Sequence, residues 1–234
     1  MTGHWREVRK LRFDRRQLLI YAVTDKAWTG KLYLKEQVEE ALKGGATMVQ
    51  LREKELDKGN FEEVLRTAWA IRRITEEYNV PLMIDDNLEL ALACRADGLH
   101  VGQNDMEASE ARRLLGPERI LGVTAKTVEQ AKKAQADGAD YLGSGAVFGT
   151  LTKSDAKPMS REMLQAICAS VSIPVVAIGG ICLDNIEKLQ GSGAAGAAIV
   201  SGIFAAEDIE EQIKNTIATN SYDHIFAIVR LGDE

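Results

Sequence analysis

The chain has 234 residues, of which 45% are hydrophobic and 27% are charged, and its formal net charge at pH 7 is -6. This balance is typical of a soluble globular protein and argues against nucleic acid as the main partner, because nucleic-acid surfaces are strongly basic. No apolar run reaches membrane-spanning length, and the N-terminus lacks the apolar core of a signal peptide. The three cysteines lie in no metal-binding or redox spacing, which predicts reduced thiols in a cytoplasmic protein.

Short apolar runs alternate along the chain with longer segments of helical periodicity. Continuous apolar strands are typical of a parallel sheet that is covered by helices. Eight strands are predicted, at 18–24, 47–51, 81–84, 98–101, 120–123, 141–143, 174–178 and 196–200.

Eight strands separated by helices predict one α/β domain, a (β/α)8 TIM barrel over residues 1–234. An open doubly wound sheet is the alternative, and it is disfavoured because no Gly-x-Gly-x-x-Gly follows the first strand. Residues 1–16 are interpreted as a short helix that closes the barrel floor, with a nucleic-acid arm as the other interpretation. The extension 218–234 contains an apolar run at 225–229, which fits either a ninth strand or a contact in a homo-oligomer.

A glycine-containing phrase precedes several of the predicted strands. We expect its glycine to end the preceding helix in a left-handed cap and the small residue to allow a sharp turn into the strand. The four copies are KGGA at 43–46, RADG at 95–98, ADGA at 136–139 and GSGA at 191–194.

Two glycine turns close the last two predicted strands, one at Gly179 and Gly180 and one at Ser201 and Gly202. Each is predicted to open a helix, and two such turns on neighbouring strands of a barrel are typical of a phosphate-binding cup. A single turn of this kind is more often only a tight turn, so the prediction depends on the pair.

Polar groups follow the second strand as well. Gln50, Arg52 and Lys54 share one side of the chain if the extended geometry persists, and two cations with an amide suit a diphosphate or a polar heterocycle. The alternative is a solvated charge run, since Glu53 and Glu55 lie between them.

Carboxylates follow the third and fourth strands. Asp86 and Asp105 are predicted to lie side by side at one rim, because adjacent parallel strands end together, and two carboxylates are typical of a Mg²⁺ site in phosphate chemistry. Helix N-capping is the alternative for either residue alone.

The fifth strand is followed by Thr124, and the sixth by a loop at 144–155 rich in small residues and hydroxyls. This composition indicates a mobile lid from which Lys153 reaches a leaving phosphate, whereas the alternative is an exposed loop lysine.

These blocks, taken in order, resemble the thiamine-phosphate synthase family from about Leu19 to Ile217. Each block is weak alone, but the ordered set is specific. The segments are GGATMVQLREK at 44–54, DDNLELA at 85–91, HVGQND at 100–105, GVT at 122–124, TLTK at 150–153 and IGGI at 178–181.

The resemblance implies a transferase of thiamine biosynthesis that joins a hydroxymethylpyrimidine diphosphate to a hydroxyethylthiazole phosphate, with release of pyrophosphate. It implies Mg²⁺ on Asp86 and Asp105, and catalysis by Arg52, Lys54, Thr124 and Lys153. The implied substrate-binding residues are Gln50, Arg52, Lys54, Asp85, Thr124, Thr150, Thr152, Lys153, Gly180, Val200 and Ser201.

The chain departs from this family pattern at four positions. The pattern has asparagine at Asp85, serine at Thr124, histidine in some members at Lys126 and proline at Gly149. A carboxylate at position 85 is unfavourable beside a diphosphate unless a metal or a lysine offsets it.

Three other functions would also use a phosphate-binding cup. A thiazole tautomerase and a sugar-phosphate isomerase each need a proton-transfer group at the mouth, for which Lys126 is less suited than histidine. A non-catalytic sensor of thiazole phosphate has no need of Asp86, Asp105 and Lys153 together. The sequence favours the synthase.

Overall fold

The structure of the chain, a computed structural model, describes residues 13–29, 32–54, 56, 59–149 and 158–218. Its eight strands all pair in parallel in chain order, and the eighth returns to the first, so the sheet closes into a barrel. The predicted barrel is confirmed, and the doubly wound alternative is wrong. The strands are β1 Ile20–Val23, β2 Met48–Leu51, β3 Leu82–Asp85, β4 Gly98–Val101, β5 Ile120–Thr124, β6 Tyr141–Gly145, β7 Val175–Ile178 and β8 Gly196–Ile199.

Helices cover the outside of the barrel, each burying one apolar face against the strands. Over the described residues, none is long and apolar enough to cross a bilayer. The helices are α1 Leu34–Gly44, α2 Phe61–Glu77, α3 Leu88–Ala93, α4 Ala108–Leu115, α5 Val128–Ala136, α6 Arg161–Ser170, α7 Ser201–Phe204 and α8 Ile209–Ala218.

The turn after β7 does not open a helix, contrary to the prediction. Gly179 and Gly180 have φ values of +100° and +67°, in the left-handed region that a right-handed helix cannot use. Asn185 then fixes the turn, because its Nδ2 donates to the Gly180 carbonyl at 2.8 Å and its Oδ1 accepts from Cys182 N–H at 2.9 Å. Only a 3-10 helix, Ile186–Leu189, follows.

Strand β6 continues two residues beyond its predicted end. Gly143, Ser144 and Gly145 are typical of a loop in composition, yet they pair with β7 in register up to Gly145 opposite Ile178. The first two residues of the loop predicted at 144–155 therefore belong to the strand.

The recurrent turn before the strands has the predicted left-handed glycine in three of its four copies. The left-handed residues are Gly45, Arg95, Gly138 and Gly193, with φ between +54° and +107°. Each is followed by a buried alanine that packs under the helix layer. In the second copy the left-handed cap is therefore Arg95, while Gly98 begins β4.

In three of the four copies, the residue after that alanine accepts a hydrogen bond from a neighbouring strand at the barrel floor. Thr47 Oγ1 accepts from Ile20 N–H at 2.9 Å, Asp97 accepts from Leu82 N–H at 2.8 Å, and Asp140 accepts from Leu121 N–H at 2.7 Å. These bonds lie at the N-terminal ends of the strands, where a TIM barrel keeps residues that stabilise rather than catalyse.

The described N-terminal segment closes the floor from below. Asp14 caps a 3-10 helix at Arg15–Leu18, and the Phe13 ring stacks on the Tyr141 ring inside the barrel at a centroid distance of 5.8 Å. Most of the predicted helix at 1–16, and the extension from residue 219 onward, lie outside the described residues, so both remain predictions.

Candidate active site

A cavity of about 150 Å³ opens at the C-terminal ends of the strands. This is the face on which TIM barrels carry their active sites. Side chains that the sequence places on separate strands meet there, as parallel strands ending at one rim predict. The sequence-predicted residues that line it are Gln50, Arg52, Asp85, Thr124, Gly180, Val200 and Ser201.

Arg52 is held at the wall of this cavity by two carboxylates. Its Nη1 donates to Asp25 at 2.8 Å, and its Nε lies 3.5 Å from Asp85. Its backbone N–H donates to Thr24 Oγ1 at 3.1 Å. The guanidinium Nη2 is buried and has no hydrogen-bond partner among the described residues. An orphaned buried donor is costly, so this atom is suited to an oxygen of an anionic ligand.

Lys54 lies apart from the cavity. Strand β2 ends at Leu51, so the extended geometry that would align Lys54 with Gln50 does not persist, and Lys54 is exposed in the following turn. Glu53 is not part of a solvated run either, because its buried side chain pairs with Lys26 at 2.5 Å. A role for Lys54 in substrate binding stays a prediction.

Asp86 and Asp105 follow adjacent strands and are both exposed at the rim, outside the cavity lining. Asp86 takes a left-handed φ of +59°, and its N–H donates to the His100 carbonyl at 2.8 Å. Asp105 accepts from Gly102 N–H at 2.9 Å.

Neither aspartate caps a helix, so the capping alternative is wrong. Asn87 caps α3 by accepting from Leu90 N–H, and Glu107 precedes α4. Over the described residues there is no group of three or more acidic, histidine or cysteine side chains that could hold a metal. Two rim carboxylates nonetheless fit Mg²⁺, which usually takes one or two carboxylates and completes its shell with water and substrate phosphates.

The turns after β7 and β8 form the opposite wall of the cavity. Gly180 lies so close to the chain after β6 that an added Cβ would be 2.3 Å from the Gly149 carbonyl oxygen. Only glycine fits there. Val200 and Ser201 face it from the end of β8 and the start of α7. This wall is the predicted phosphate cup, and it lies beside Arg52 and Thr124 in one cavity.

The start of the predicted lid is attached to β7. Val147 and Phe148 N–H groups donate to the Ile178 and Gly179 carbonyls, both at 3.0 Å. Thr150, Thr152 and Lys153 lie outside the described residues, so the lid and their roles remain predictions.

No role was predicted for Tyr21 and His100, which line the cavity, or for Tyr141, whose hydroxyl contacts both of them. All are bulky polar residues within apolar strands, and they alternate in the strands with residues that face the helices. The alternation of these polar residues with apolar ones was the available sequence signal. Alternation alone does not say which face of a strand points into the barrel.

Comparison with known proteins agrees with this geometry. A family model described as thiamine monophosphate synthase matches residues 20–203. The chain belongs to this thiamine monophosphate synthase family. A curated relative, thiamine-phosphate synthase 2 of Streptococcus pneumoniae, is 46% identical over 197 residues, which cover 84% of this chain and 92% of the relative. Thiamine-phosphate synthase of Clostridium tetani is 46% identical over 192 residues, covering 82% and 90%.

A solved member of the thiamine monophosphate synthase family has the same architecture. The thiamine phosphate pyrophosphorylase structure from Pyrococcus furiosus has a TM-score of 0.79 and 37% sequence identity, covering 87% of this chain and 96% of that chain. The family model's match at residues 20–203 includes all eight strands, and the resemblance inferred from the ordered motifs is confirmed.

Proposed function

We propose that the chain joins 4-amino-5-hydroxymethyl-2-methylpyrimidine diphosphate to 4-methyl-5-(2-hydroxyethyl)thiazole phosphate, giving thiamine phosphate and pyrophosphate. The observation that carries the proposal is one cavity in which Gln50, Arg52 and Thr124 face the glycine turn at Gly180 and the start of α7 at Ser201. The cavity presents a polar wall suited to a heterocycle and a diphosphate on one side and a glycine turn suited to a phosphate on the other.

The chemistry requires little of the protein beyond binding and charge stabilisation. The bond between the pyrimidine methylene carbon and the diphosphate oxygen breaks, and its electron pair leaves with the diphosphate. The electron-rich ring stabilises the resulting cation, and the thiazole nitrogen lone pair then forms the new carbon–nitrogen bond. No proton must be removed in these steps, so neither a protein nucleophile nor a general base is needed.

The residues of the chain would act mainly on the departing diphosphate. Arg52 Nη2 is buried, unpaired within the described residues and therefore available to a diphosphate oxygen. Lys54 and Lys153 would add positive charge at the rim and from the lid, where charge develops in the transition state. Mg²⁺ on Asp86 and Asp105 would supply charge neutralisation at the same group.

The decisive experiment mixes the purified protein with both heterocyclic substrates and Mg²⁺ and follows phosphorus NMR. The expected result is stoichiometric pyrophosphate and thiamine phosphate. Omitting the thiazole phosphate is the control. In a separate incubation with a thiazole carboxylate phosphate, isomerisation without pyrophosphate release would favour the tautomerase instead, and binding of thiazole phosphate without turnover would favour a sensor.

We also place the enzyme in the cytoplasm. The proposal is supported by Cys94, Cys168 and Cys182, which are all free thiols. Burial raises the pKa of Cys94 and of Cys168 to about 11, so both are protonated at neutral pH and poorly reactive.

Removal of divalent cations is expected to abolish activity, because the diphosphate then departs without its counter-ion. Asp86→Asn and Asp105→Asn should each raise the Mg²⁺ concentration for half-maximal rate by about tenfold or more. Initial rates in a Mg²⁺ titration measure this. Glu110→Gln, at a half-exposed acid of α4 that pairs with Arg113, is the matched control. Full activity in excess chelator would contradict the metal site.

Asp85→Asn is expected to lower the KM for the pyrimidine diphosphate about fivefold, because one negative charge near the diphosphate is removed and Arg52 is released from it. Steady-state kinetics with the thiazole phosphate saturating measure the change. Asp140→Asn makes the same substitution in an arginine pair at the barrel floor and should leave KM unchanged. A KM that rises in Asp85→Asn would show that the carboxylate itself binds substrate.

A further inference from the structure

A chain of side-chain hydrogen bonds crosses the barrel interior beneath the cavity. Gln50 Nε2 donates to the Tyr21 hydroxyl at 2.7 Å, and that hydroxyl lies 2.9 Å from the Tyr141 hydroxyl. The Tyr141 hydroxyl lies 3.0 Å from His100 Nδ1, and His100 Nε2 lies 3.0 Å from Thr124 Oγ1. We call these five residues the interior relay. Its two ends, Gln50 and Thr124, both line the cavity.

The barrel is built to leave room for this relay. A Cβ added at Gly122 would lie 2.3 Å from the Tyr141 hydroxyl oxygen and 2.5 Å from His100 Nδ1, and one at Gly143 would lie 3.1 Å from the His100 ring. Glycine inside a strand is unfavourable by itself. The two glycines on β5 and β6 are therefore explained by the ring contacts they permit.

Counting protons gives the relay a direction. Burial raises the pKa of the Tyr21 and Tyr141 hydroxyls well above the ordinary value, so each carries one proton to donate. Tyr21 already accepts from Gln50, so if each hydroxyl proton is used within the relay, Tyr21 donates to Tyr141 and Tyr141 donates to His100 Nδ1. A neutral His100 then carries its proton on Nε2 and donates it to Thr124 Oγ1. The Thr124 hydroxyl proton is left to point into the cavity.

Turning the Gln50 amide over would reverse every bond in the chain. The hydroxyl protons and the histidine proton would each move to the other side, and Thr124 would become an acceptor for the ligand. The hydrogen-bonding character of Thr124 is therefore coupled to that of Gln50, on the far wall of the cavity, through three interior residues.

We propose that Tyr21, Tyr141 and His100 are positioning residues that fix His100 as its Nε2–H tautomer, so that Gln50 presents Oε1 as an acceptor while Thr124 presents its O–H as a donor. The proposal rests on the proposed function. The aminopyrimidine carries an amino donor for Gln50 Oε1, and the same substrate carries acceptors for Thr124. In the reversed relay the Gln50 amide nitrogen would face the amino group of the pyrimidine, and both groups are donors. The relay therefore selects one orientation of the pyrimidine ring.

The tautomer is measured directly by nitrogen-15 NMR of the histidine rings at about pH 9, where free imidazole is neutral. His4→Gln and His224→Gln variants assign the His100 signals. The wild type is expected to be protonated on Nε2, and protonation on Nδ1 would overturn the proposal.

A remote substitution tests the coupling. A carboxylate can only accept, so Gln50→Glu is expected to reverse the relay and move the His100 proton to Nδ1. The double variant Gln50→Glu with Tyr21→Phe interrupts the relay and should keep the proton on Nε2. A tautomer that does not respond to Gln50→Glu, or that responds equally in the double variant, would overturn the proposal. A purely structural role predicts neither response.

Kinetics test the consequence for the ligand. Tyr141→Phe keeps the ring but breaks the relay, and it is expected to raise the KM for the pyrimidine diphosphate about tenfold while the KM for the thiazole phosphate changes less than about twofold. Ser144→Ala removes a buried hydroxyl of the same strand outside the relay and is the control. Equal changes in both KM values would overturn the positioning role. The NMR result stands even if the wild type forms no thiamine phosphate, so failure of the relay and failure of the proposed function are distinguishable.

Discussion

Arg52→Met is expected to lower the free energy of unfolding by about 3 kcal/mol and kcat/KM by about 100-fold. The arginine side chain is 8% exposed, and its two carboxylate partners, Asp25 and Asp85, are 18% and 16% exposed. Removing the guanidinium leaves two largely buried carboxylates without their counter-charge, which accounts for the stability loss. The activity loss follows from the missing Nη2 donor at the diphosphate.

The two effects are separated by a matched variant. Arg72 is similarly buried and pairs with Asp97 at 2.8 Å, but it lies on α2 beside the barrel floor. Urea unfolding of Arg72→Met should show a comparable stability loss, whereas its kcat/KM at a temperature where it is folded should stay near the wild-type value. Loss of activity in both variants alike would assign Arg52 a structural role only.

Lys153→Ala is expected to lower kcat about 100- to 1,000-fold, with the KM for the thiazole phosphate changed by less than about threefold. The reason is that the proposed mechanism assigns Lys153 to the leaving diphosphate, where it would stabilise charge that exists only in the transition state. Substrate and transition state then differ most at the diphosphate and least at the thiazole phosphate.

Single-turnover rates at saturating substrates measure this effect on the chemical step. Lys132→Ala, at an exposed lysine of α5, is the control for loss of a positive charge. A turnover equal to the wild type would remove Lys153 from the mechanism. Lowered affinity for the thiazole phosphate alone would instead assign Lys153 to that phosphate.

The strand pattern was predictable because a parallel barrel buries both faces of each strand. All eight apolar runs of the sequence became strands, and every boundary agrees within two residues. The later end of β6 and the missing helix after β7 have local causes. Strand β6 runs on through Gly143 and Gly145, which pack where larger residues would not fit, and the turn at Gly179 cannot begin a helix because its φ is left-handed.

The repeated turn shows where pattern recognition misaligned the chain. The sequence pattern predicts the glycine of each copy as the left-handed residue, which in the second copy is Gly98. Backbone geometry aligns the left-handed residues instead, and so matches Arg95 with Gly45. A non-glycine residue can take this conformation at a modest cost, which composition does not reveal.

The sequence by itself determined the barrel, the order of the polar groups and the rim at which they gather, because strand count and parallel direction follow from local periodicity. Only the tertiary structure decided which of those groups enter the cavity. Lys54 is outside since β2 ends at Leu51, whereas Arg52 is drawn in between Asp25 and Asp85. The interior relay likewise depends on closure of the barrel, because its five residues lie on five strands that are far apart in the sequence. Side-chain contacts across a closed barrel depend on register and depth, and neither is encoded within any one segment of the chain.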